Sequence, residues 1–186
     1  NFMKIKILLF ILFLYSPTFA EDISDFEIEG ISIGDSLLDY FSQEEIENNI
    51  YHYYNNKTYT PVQIRSTLFT NYDGMSFNYK TNDNKFIIFG ISGKIFINND
   101  FKKCENMKKD ILKEIKKTLI EKKFNHWEGN LSADPLGKYS MDGTEFDNGD
   151  VMNITCYDYS KDSGRDHLSV TFRRKHFNKF LGYAYD

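Results

Sequence analysis

The clearest pattern of apolar positions lies between Asp100 and Phe124. Apolar residues recur there at spacings of three and four, with lysine and glutamate between them, which places them along one side of a helix. Asp100 precedes this stripe as an N-cap, whose side chain can accept from the free N–H groups of the first turn. The spacing predicts one long amphipathic helix, with an apolar stripe made of Cys104, Met107, Ile111, Ile115 and Leu119.

Alternation of apolar and polar residues, the pattern of a strand, occurs in other parts of the chain. It predicts strands at Thr58–Arg65, Met75–Lys80, Lys85–Ile91, Lys94–Ile97, Val151–Tyr159 and His167–Arg174. Turn-forming residues separate the central ones at Asp73-Gly74, Asn82-Asp83-Asn84 and Ser92-Gly93. A Gly- and Asp-rich region, 127–150, stands between the long helix and the last two strands, and no element is assigned beyond Arg174.

Two short helices are predicted before the first strand, at Asp35–Phe41 and Ser42–Ile50. The second begins with a capping box formed by Ser42 and Glu45. Strands joined by tight turns pair antiparallel, and the regular βαβ alternation of a doubly wound fold is missing. The predicted fold is therefore a single two-layer α+β domain over residues 21–186. Its sheet is mainly antiparallel, with the long helix packed on it and the two short helices at its N-terminal end.

The first part of the chain carries a targeting pattern. Lys4 and Lys6 precede an unbroken apolar run at 7–15, and Thr18 and Ala20 occupy the two small-residue places of a cleavage site. This order is typical of a secretory signal peptide, and the run is shorter than the roughly 20 apolar residues that span a bilayer. We expect a signal peptide at 1–20, cleavage after Ala20, a periplasmic or secreted product, and no transmembrane segment in the mature chain. The alternative is a permanent N-terminal anchor.

The charge balance argues against one class of partner. The chain has 23 Lys+Arg and 27 Asp+Glu, a net charge of -4. Without the two lysines of the signal peptide the balance is 21 against 27, or -6. Because proteins that bind nucleic acids usually present a basic surface, no nucleic-acid partner is expected.

Cys104 and Cys156 are the only cysteines. Cys104 lies on the apolar stripe of the predicted helix, and Cys156 follows Met152 and Ile154 on the apolar side of a predicted strand. A bond between them would tie the helix to the sheet, and export would place it where disulfides persist. We predict a Cys104–Cys156 disulfide, with two buried thiols as the alternative. A redox or metal role is not expected, because there is no CxxC pattern.

One tetrapeptide has a catalytic precedent. Gly34-Asp35-Ser36-Leu37 resembles the motif that opens the GDSL, or SGNH, family of serine esterases and lipases. The resemblance implies Ser36 as the nucleophile, which needs a base within hydrogen-bond reach, and His167 is the candidate base. The family's Asp-x-x-His segment is incomplete here, because position 164 is Gly, and its Gly-x-Asn-Asp block is missing. We favour the alternative in which Asp35 or Ser36 caps a helix.

Three other groups of residues have side chains of the kinds found in binding sites. The four histidines show no metal-ligand spacing, and the acidic stretch Asp142–Asp150 departs from the EF-hand pattern, so we expect a hairpin or surface loop there and no metal or cofactor. The run Arg173-Arg174-Lys175 predicts a strand edge defended by charge. The alternative for this run is contact with an anionic membrane surface.

The segment from Asp25 to Ile46 resembles the opening of a group of small, functionally uncharacterised exported proteins of AT-rich marine bacteria. The resemblance implies export and no particular activity. The shorter run from Ile31 to Leu37 is also similar to the start of small envelope modules such as the outer-membrane assembly lipoprotein BamE. We therefore predict a non-enzymatic exported domain that binds an unknown envelope protein or a small ligand. The alternative is a divergent GDSL-like serine esterase.

Overall fold

A large antiparallel sheet dominates the computed structural model, which describes residues 22–97, 99–160 and 164–185. The strands are β1 (Glu27–Ile28), β2 (Ile31–Ser32), β3 (Tyr59–Ile64), β4 (Gly74–Lys80), β5 (Ile88–Phe96), β6 (Asn125–Leu131), β7 (Asp134–Glu145), β8 (Val151–Asp158) and β9 (His167–Arg173). The helices are α1 (Gln43–Asn48), α2 (Phe101–Thr118) and α3 (Lys175–Leu181). β1 and β2 form a small hairpin, and the other strands form one sheet in the order β3-β4-β5-β9-β8-β7-β6. The predicted α+β class with a mainly antiparallel sheet is confirmed.

One face of the large sheet, called the core face here, is closed by the N-terminal segment and by α2. Strand residues such as Ile91, Ile154 and Val170 point into this core and are almost completely buried. The N-terminal segment contributes Phe26, whose ring stacks on Phe172 of β9 with centroids 5.3 Å apart. Helix α2 lies across β8 and β9. The core face thus excludes water along most of the sheet.

Two side-chain links hold α2 to the sheet. The sulfur atoms of Cys104 and Cys156 lie 2.02 Å apart, at disulfide distance. One helical turn further, the buried Lys108 ammonium donates to the Ser140 hydroxyl at 2.6 Å and lies 2.8 Å from the Asp142 carboxylate. Ser140 is directly opposite Cys156 in the β7–β8 pair. The covalent and the ionic link therefore lie side by side.

The apolar stripe predicts a helix that continues to Phe124, but α2 ends at Thr118. The chain turns immediately afterwards, and the Leu119 carbonyl accepts from the Lys122 N–H at 3.2 Å. This turn allows β6 to begin at Asn125. Leu119 remains in the core although it follows the helix.

Strand β5 is continuous where a turn was predicted at Ser92-Gly93. Gly93 lies within the strand, opposite Met75 of β4 and Val170 of β9. A Cβ atom at Gly93 would lie 2.6 Å from the Tyr72 ring, closer than atoms can approach. The glycine therefore provides space for a ring that packs on the core face, and it does not mark a turn.

The hairpin of β6 and β7 occupies the Gly- and Asp-rich region to which no element was assigned. Nearly all of β6 is exposed, so its residues show no apolar alternation. Only its pairing with β7 holds it in the sheet. The region was missed because strand prediction depends on one buried face.

The two predicted N-terminal helices differ from those observed. The first is a single 3-10 turn at Leu37–Asp39. It is short because its start is hydrogen-bonded to the segment before β5, where the Leu37 N–H donates to the Phe86 carbonyl at 3.1 Å. The second is α1, which ends before Ile50 because Ile50 forms a bridge with Val62 of β3. The predicted signal peptide at 1–20 lies outside the described residues.

The other face of the sheet is only partly covered. Helix α3 packs on it at Gly90, where a Cβ atom would lie 2.5 Å from the Phe177 ring. A second apolar cluster forms around this contact from Tyr54, Tyr59, Phe177, Phe180 and Ala184. None of the helices among the described residues is long and apolar enough to cross a membrane.

Candidate functional site

Ser36 and His167 lie at opposite ends of strand β5. Ser36 forms an isolated bridge with Ile87, immediately before β5 begins, whereas His167 is paired with Phe96, the last residue of β5. At roughly 3.3 Å per residue, these two points on the strand are separated by about 30 Å. The structure therefore does not bring the candidate nucleophile and the candidate base together.

The Ser36 hydroxyl is used in local structure. It donates to the Lys85 carbonyl at 2.6 Å and accepts from the Leu38 N–H at 3.2 Å, which is the geometry of an N-cap on the 3-10 turn. Within the described part of the chain, no histidine forms a hydrogen bond with Ser36. Among the described residues, the histidine base that the GDSL resemblance implies is therefore not beside Ser36.

The three residues of the basic run have separate environments. β9 lies between β5 and β8, so this run is not at a sheet edge. Arg174 forms ion pairs with Asp22 at 3.0 Å and with Asp150 at 2.7 Å. Lys175 is exposed, and Arg173 points to the face of the sheet opposite α2. These residues do not form one continuous cationic patch.

The acidic stretch is likewise divided. Asp142 faces Lys108 and lies 3.2 Å from the His126 ring, whereas Asp150 accepts from Arg174 and from the Lys175 N–H. Among the residues that the structure describes, no group of three or more histidine, cysteine or acidic side chains is placed to hold a metal ion.

The face opposite α2, called the polar face here, carries a row of small polar side chains across the strands. Cross-strand pairing aligns Gln63, Ser76, Ser92, Thr171, Asn153, Gly143 and Asn125, one from each strand. The adjacent row contains Lys94, Ser169 and Thr155, and Arg173 lies on the other side of the first row, beside α3. The polar face is therefore lined by polar side chains where α3 does not cover it.

Several hydroxyl groups of this face are buried although they are polar. The half-buried Thr171 bonds to the half-buried Ser92 at 2.8 Å and to the buried Ser169 at 3.1 Å, which joins the three hydroxyl groups in a chain. The buried Ser76 hydroxyl has no hydrogen-bond partner among the described residues. A buried hydroxyl without a partner costs free energy, because its hydrogen bonds to water are not replaced. The polar face thus retains unused hydrogen-bonding capacity.

Arg173 is the main cation of the polar face. Its Nη2 donates to the side-chain oxygen of Asn153, while its buried Nε has no hydrogen-bond partner among the described residues. Burial lowers the pKa of Arg173, and the neighbouring hydroxyls of Tyr157 and Tyr54 act in the opposite direction. An arginine nevertheless keeps its charge at neutral pH, so a positive charge is held on a half-buried side chain with incomplete hydrogen bonding.

Lys94 adds a second cation two residues from Ser92 on β5. Burial and the neighbouring Arg65 both lower the pKa of Lys94. Among the described residues, neither Lys94 nor Arg173 takes part in an ion pair; the lysines and arginine that do are Lys108, Lys117, Lys122, Lys138 and Arg174. Two cations on one face without carboxylate partners create a positive potential there.

Aromatic rings border this cationic region. The His167 ring stacks on Tyr157, with centroids 4.7 Å apart, and meets Phe96 edge-on at 6.3 Å. The guanidinium carbon of Arg165 lies 4.0 Å from the centre of the Phe96 ring, and that of Arg65 lies 5.2 Å from it. Burial lowers the pKa of His167 to about 4, so this ring is neutral at pH 7. The border therefore combines flat rings with further positive charge.

No protein-family model matches the chain, and no curated protein or solved structure shows significant similarity to it.

Only Arg173 and His167 of the polar face were identified from sequence, and for other roles, although one signal for the whole face was present. His167, Ser169, Thr171 and Arg173 alternate with apolar residues in β9, and an interior strand with such a polar side indicates a sheet face that is not packed as a core. The assignment of Ser92 to a turn concealed the matching alternation in β5.

Proposed function

We propose that this protein is a non-enzymatic binding domain whose polar face takes an anionic ligand. The observation that carries the proposal is the position of Arg173 and Lys94. Both cations are half-buried on one sheet face and lack carboxylate partners among the described residues. A buried charge is stable only when it is compensated, and a carboxylate, sulfate or phosphate group supplies the missing charge. Arginine suits such groups because its planar fork matches two oxygen atoms.

The surroundings of the two cations favour a ligand with more than a bare charge. The hydroxyl groups of Ser92, Thr171 and Ser169 offer donors and acceptors to neutral polar groups. The rings of Phe96 and Tyr157 offer flat surfaces to a sugar or aromatic ring beside the charged group. We infer a small acidic molecule or the acidic end of a larger one, of which an acidic sugar is the simplest example.

The proposed location is the periplasm or the exterior of the cell. The sequence pattern at 1–20 supports export, and the pairing of Cys104 with Cys156 agrees with an oxidising compartment. The ligand is then an acidic component of the envelope or its surroundings. The esterase alternative has no support from a specific contact of Ser36.

Binding is tested by titrating the isotope-labelled protein with sulfate, phosphate, acetate and glucuronate and recording amide chemical shifts. We expect saturable changes at Ser92, Thr171 and Arg173 with at least one of these anions. Arg173→Gln should weaken that binding at least about tenfold, because a hydrogen bond to a charged group contributes roughly 1.5–3 kcal/mol.

The matched control is Lys175→Gln, which removes the same charge from an exposed neighbouring position. It should leave the dissociation constant within about twofold of the original value, as expected for a screened surface charge. The absence of saturable shifts on the polar face with all four anions, or equal weakening by both substitutions, would rule out the proposed site.

A further inference from the structure

The two edge strands of the large sheet are protected to very different degrees. β3 forms one edge, and the chain before it covers part of that edge: Tyr51 N–H donates to the Pro61 carbonyl at 2.9 Å, and Gln63 N–H donates to the Asn49 carbonyl at 3.0 Å. Pro61 also removes one donor from the edge. This is the kind of protection that prevents an edge strand from pairing with another chain.

β6 forms the opposite edge and lacks this protection. Among the described residues it pairs only with β7, and no segment lies along its outer side. It contains no proline and no lysine, the residues that commonly block edge pairing. Trp127, the third residue of β6, is 44% exposed. An uncovered strand of this length presents a row of free backbone donors and acceptors.

The side chains of β6 are complementary to a second copy of the same strand. In an antiparallel pair centred on Trp127, His126 lies opposite Glu128 of the other copy, and the two-fold symmetry repeats this contact. The two Trp127 rings then face each other across the pair, and aromatic and hydrogen-bonded cross-strand pairs are stabilising. A pair centred on Glu128 would instead place two carboxylates directly opposite each other.

The existing contacts of His126 leave it available for this role. Its Nδ1 lies 3.2 Å from the Asp142 carboxylate, while the one contact of its Nε2 among the described residues is a distant one, 3.8 Å, to Glu128 of its own chain. Nε2 is therefore free to meet Glu128 of a second copy. We propose that β6 pairs with β6 of a second copy in the register centred on Trp127, so that two seven-stranded sheets become one.

The proposal is tested by sedimentation velocity over concentrations from about 5 to about 500 µM, since self-association obeys mass action. We expect a monomer–dimer equilibrium within this range. Trp127 is the only tryptophan, so its fluorescence should change in parallel with the dimer fraction. A monomer at every concentration, with constant fluorescence, would overturn the proposal.

Substitutions test the register itself. Glu128→Lys should weaken dimerisation at least about tenfold, because it removes the carboxylate that accepts from His126 of the other copy, whereas Glu121→Lys makes the same charge change at an exposed position outside β6 and should have little effect. His126→Glu combined with Glu128→Lys creates an opposite-charge pair in the same register and should restore the dimer. Each variant is first shown to fold by its melting temperature. Dimerisation that Glu128→Lys does not weaken, or that the folded double variant does not regain, contradicts this register.

Discussion

The two faces of the large sheet are made by the same strands and yet have opposite character. On the core face, Phe172 and Ile154 meet α2 and the N-terminal segment, and the polar Lys108 is matched with Ser140 and Asp142. On the polar face, Arg173 is adjacent in sequence to Phe172 but has an unpartnered Nε and no ion pair among the described residues. The charge of Lys108 on the core face is matched by its partners, whereas the charge of Arg173 on the polar face is only partly matched.

This contrast distinguishes polar residues that stabilise the fold from polar residues that are available to bind a ligand. A buried lysine whose donors are matched belongs to the fold, since removing its partners would leave an uncompensated charge. By the same reasoning, the half-buried Arg173, whose Nε has no partner among the described residues, is expected to contribute little to the stability of the fold. The polar face is therefore expected to respond to substitution differently from the core face.

The largest expected effect is on the core face, at Phe172. Phe172→Ala removes a fully buried ring that stacks on Phe26, and the cavity should lower the free energy of unfolding by about 3–5 kcal/mol. Thr171→Ala, at the preceding residue on the polar face, should lower it by no more than about 1 kcal/mol, the contribution of its hydroxyl hydrogen bonds. Urea denaturation of both variants measures the difference, and equal losses would mean that the two faces are packed alike.

The sequence predicted those parts of the fold in which burial follows a simple period. The stripe of α2 and the alternation in β8 and β9 were recognisable because each element buries one apolar side, and the same reasoning placed Cys104 and Cys156 on facing surfaces. The continuity of β5 was not predictable, because it depends on the Tyr72 ring that packs over Gly93 from a distant part of the chain.

The candidate site was harder to predict than the fold. Its residues, among them Ser76 and Thr155, have no sequence pattern that distinguishes a buried hydroxyl from an exposed one. The grouping of Lys94 with Arg173 depends on the pairing of β5 with β9, strands separated by the whole of α2 and three further strands. Long-range pairing of this kind cannot be obtained from local periodicity.

The second effect concerns the pH dependence of stability through His167. Burial lowers its pKa from 6.5 to about 4, with Lys94 acting in the same direction and the Arg165 carbonyl and Asp166 opposing it. Between pH 4 and 6.5 the unfolded chain binds the proton that the folded protein excludes, so stability rises with pH over this window and is lost as the pH falls. The loss from this residue is at most about 3 kcal/mol.

Substitution isolates this contribution from those of the carboxylates. His167→Phe should flatten the difference in unfolding free energy between pH 4 and pH 6.5, relative to the original protein. His52→Gln, at an exposed histidine, should leave it unchanged. Chemical denaturation at several pH values provides the measurement, and parallel pH profiles for the original protein and His167→Phe would show that the His167 ring is not shielded from water.

The smallest effect, and the most specific to the polar face, is a gain in stability on removing Arg173. Arg173→Met replaces an incompletely compensated cation by an apolar side chain of similar length and should raise the free energy of unfolding by about 1 kcal/mol. The same substitution at Arg174 should lower it by about 1–2 kcal/mol, because Arg174 is paired with Asp22 and Asp150. Opposite signs at adjacent arginines would identify Arg173 as a residue maintained for binding. A loss of stability in Arg173→Met would instead assign it to the fold and remove the main support for an anion site.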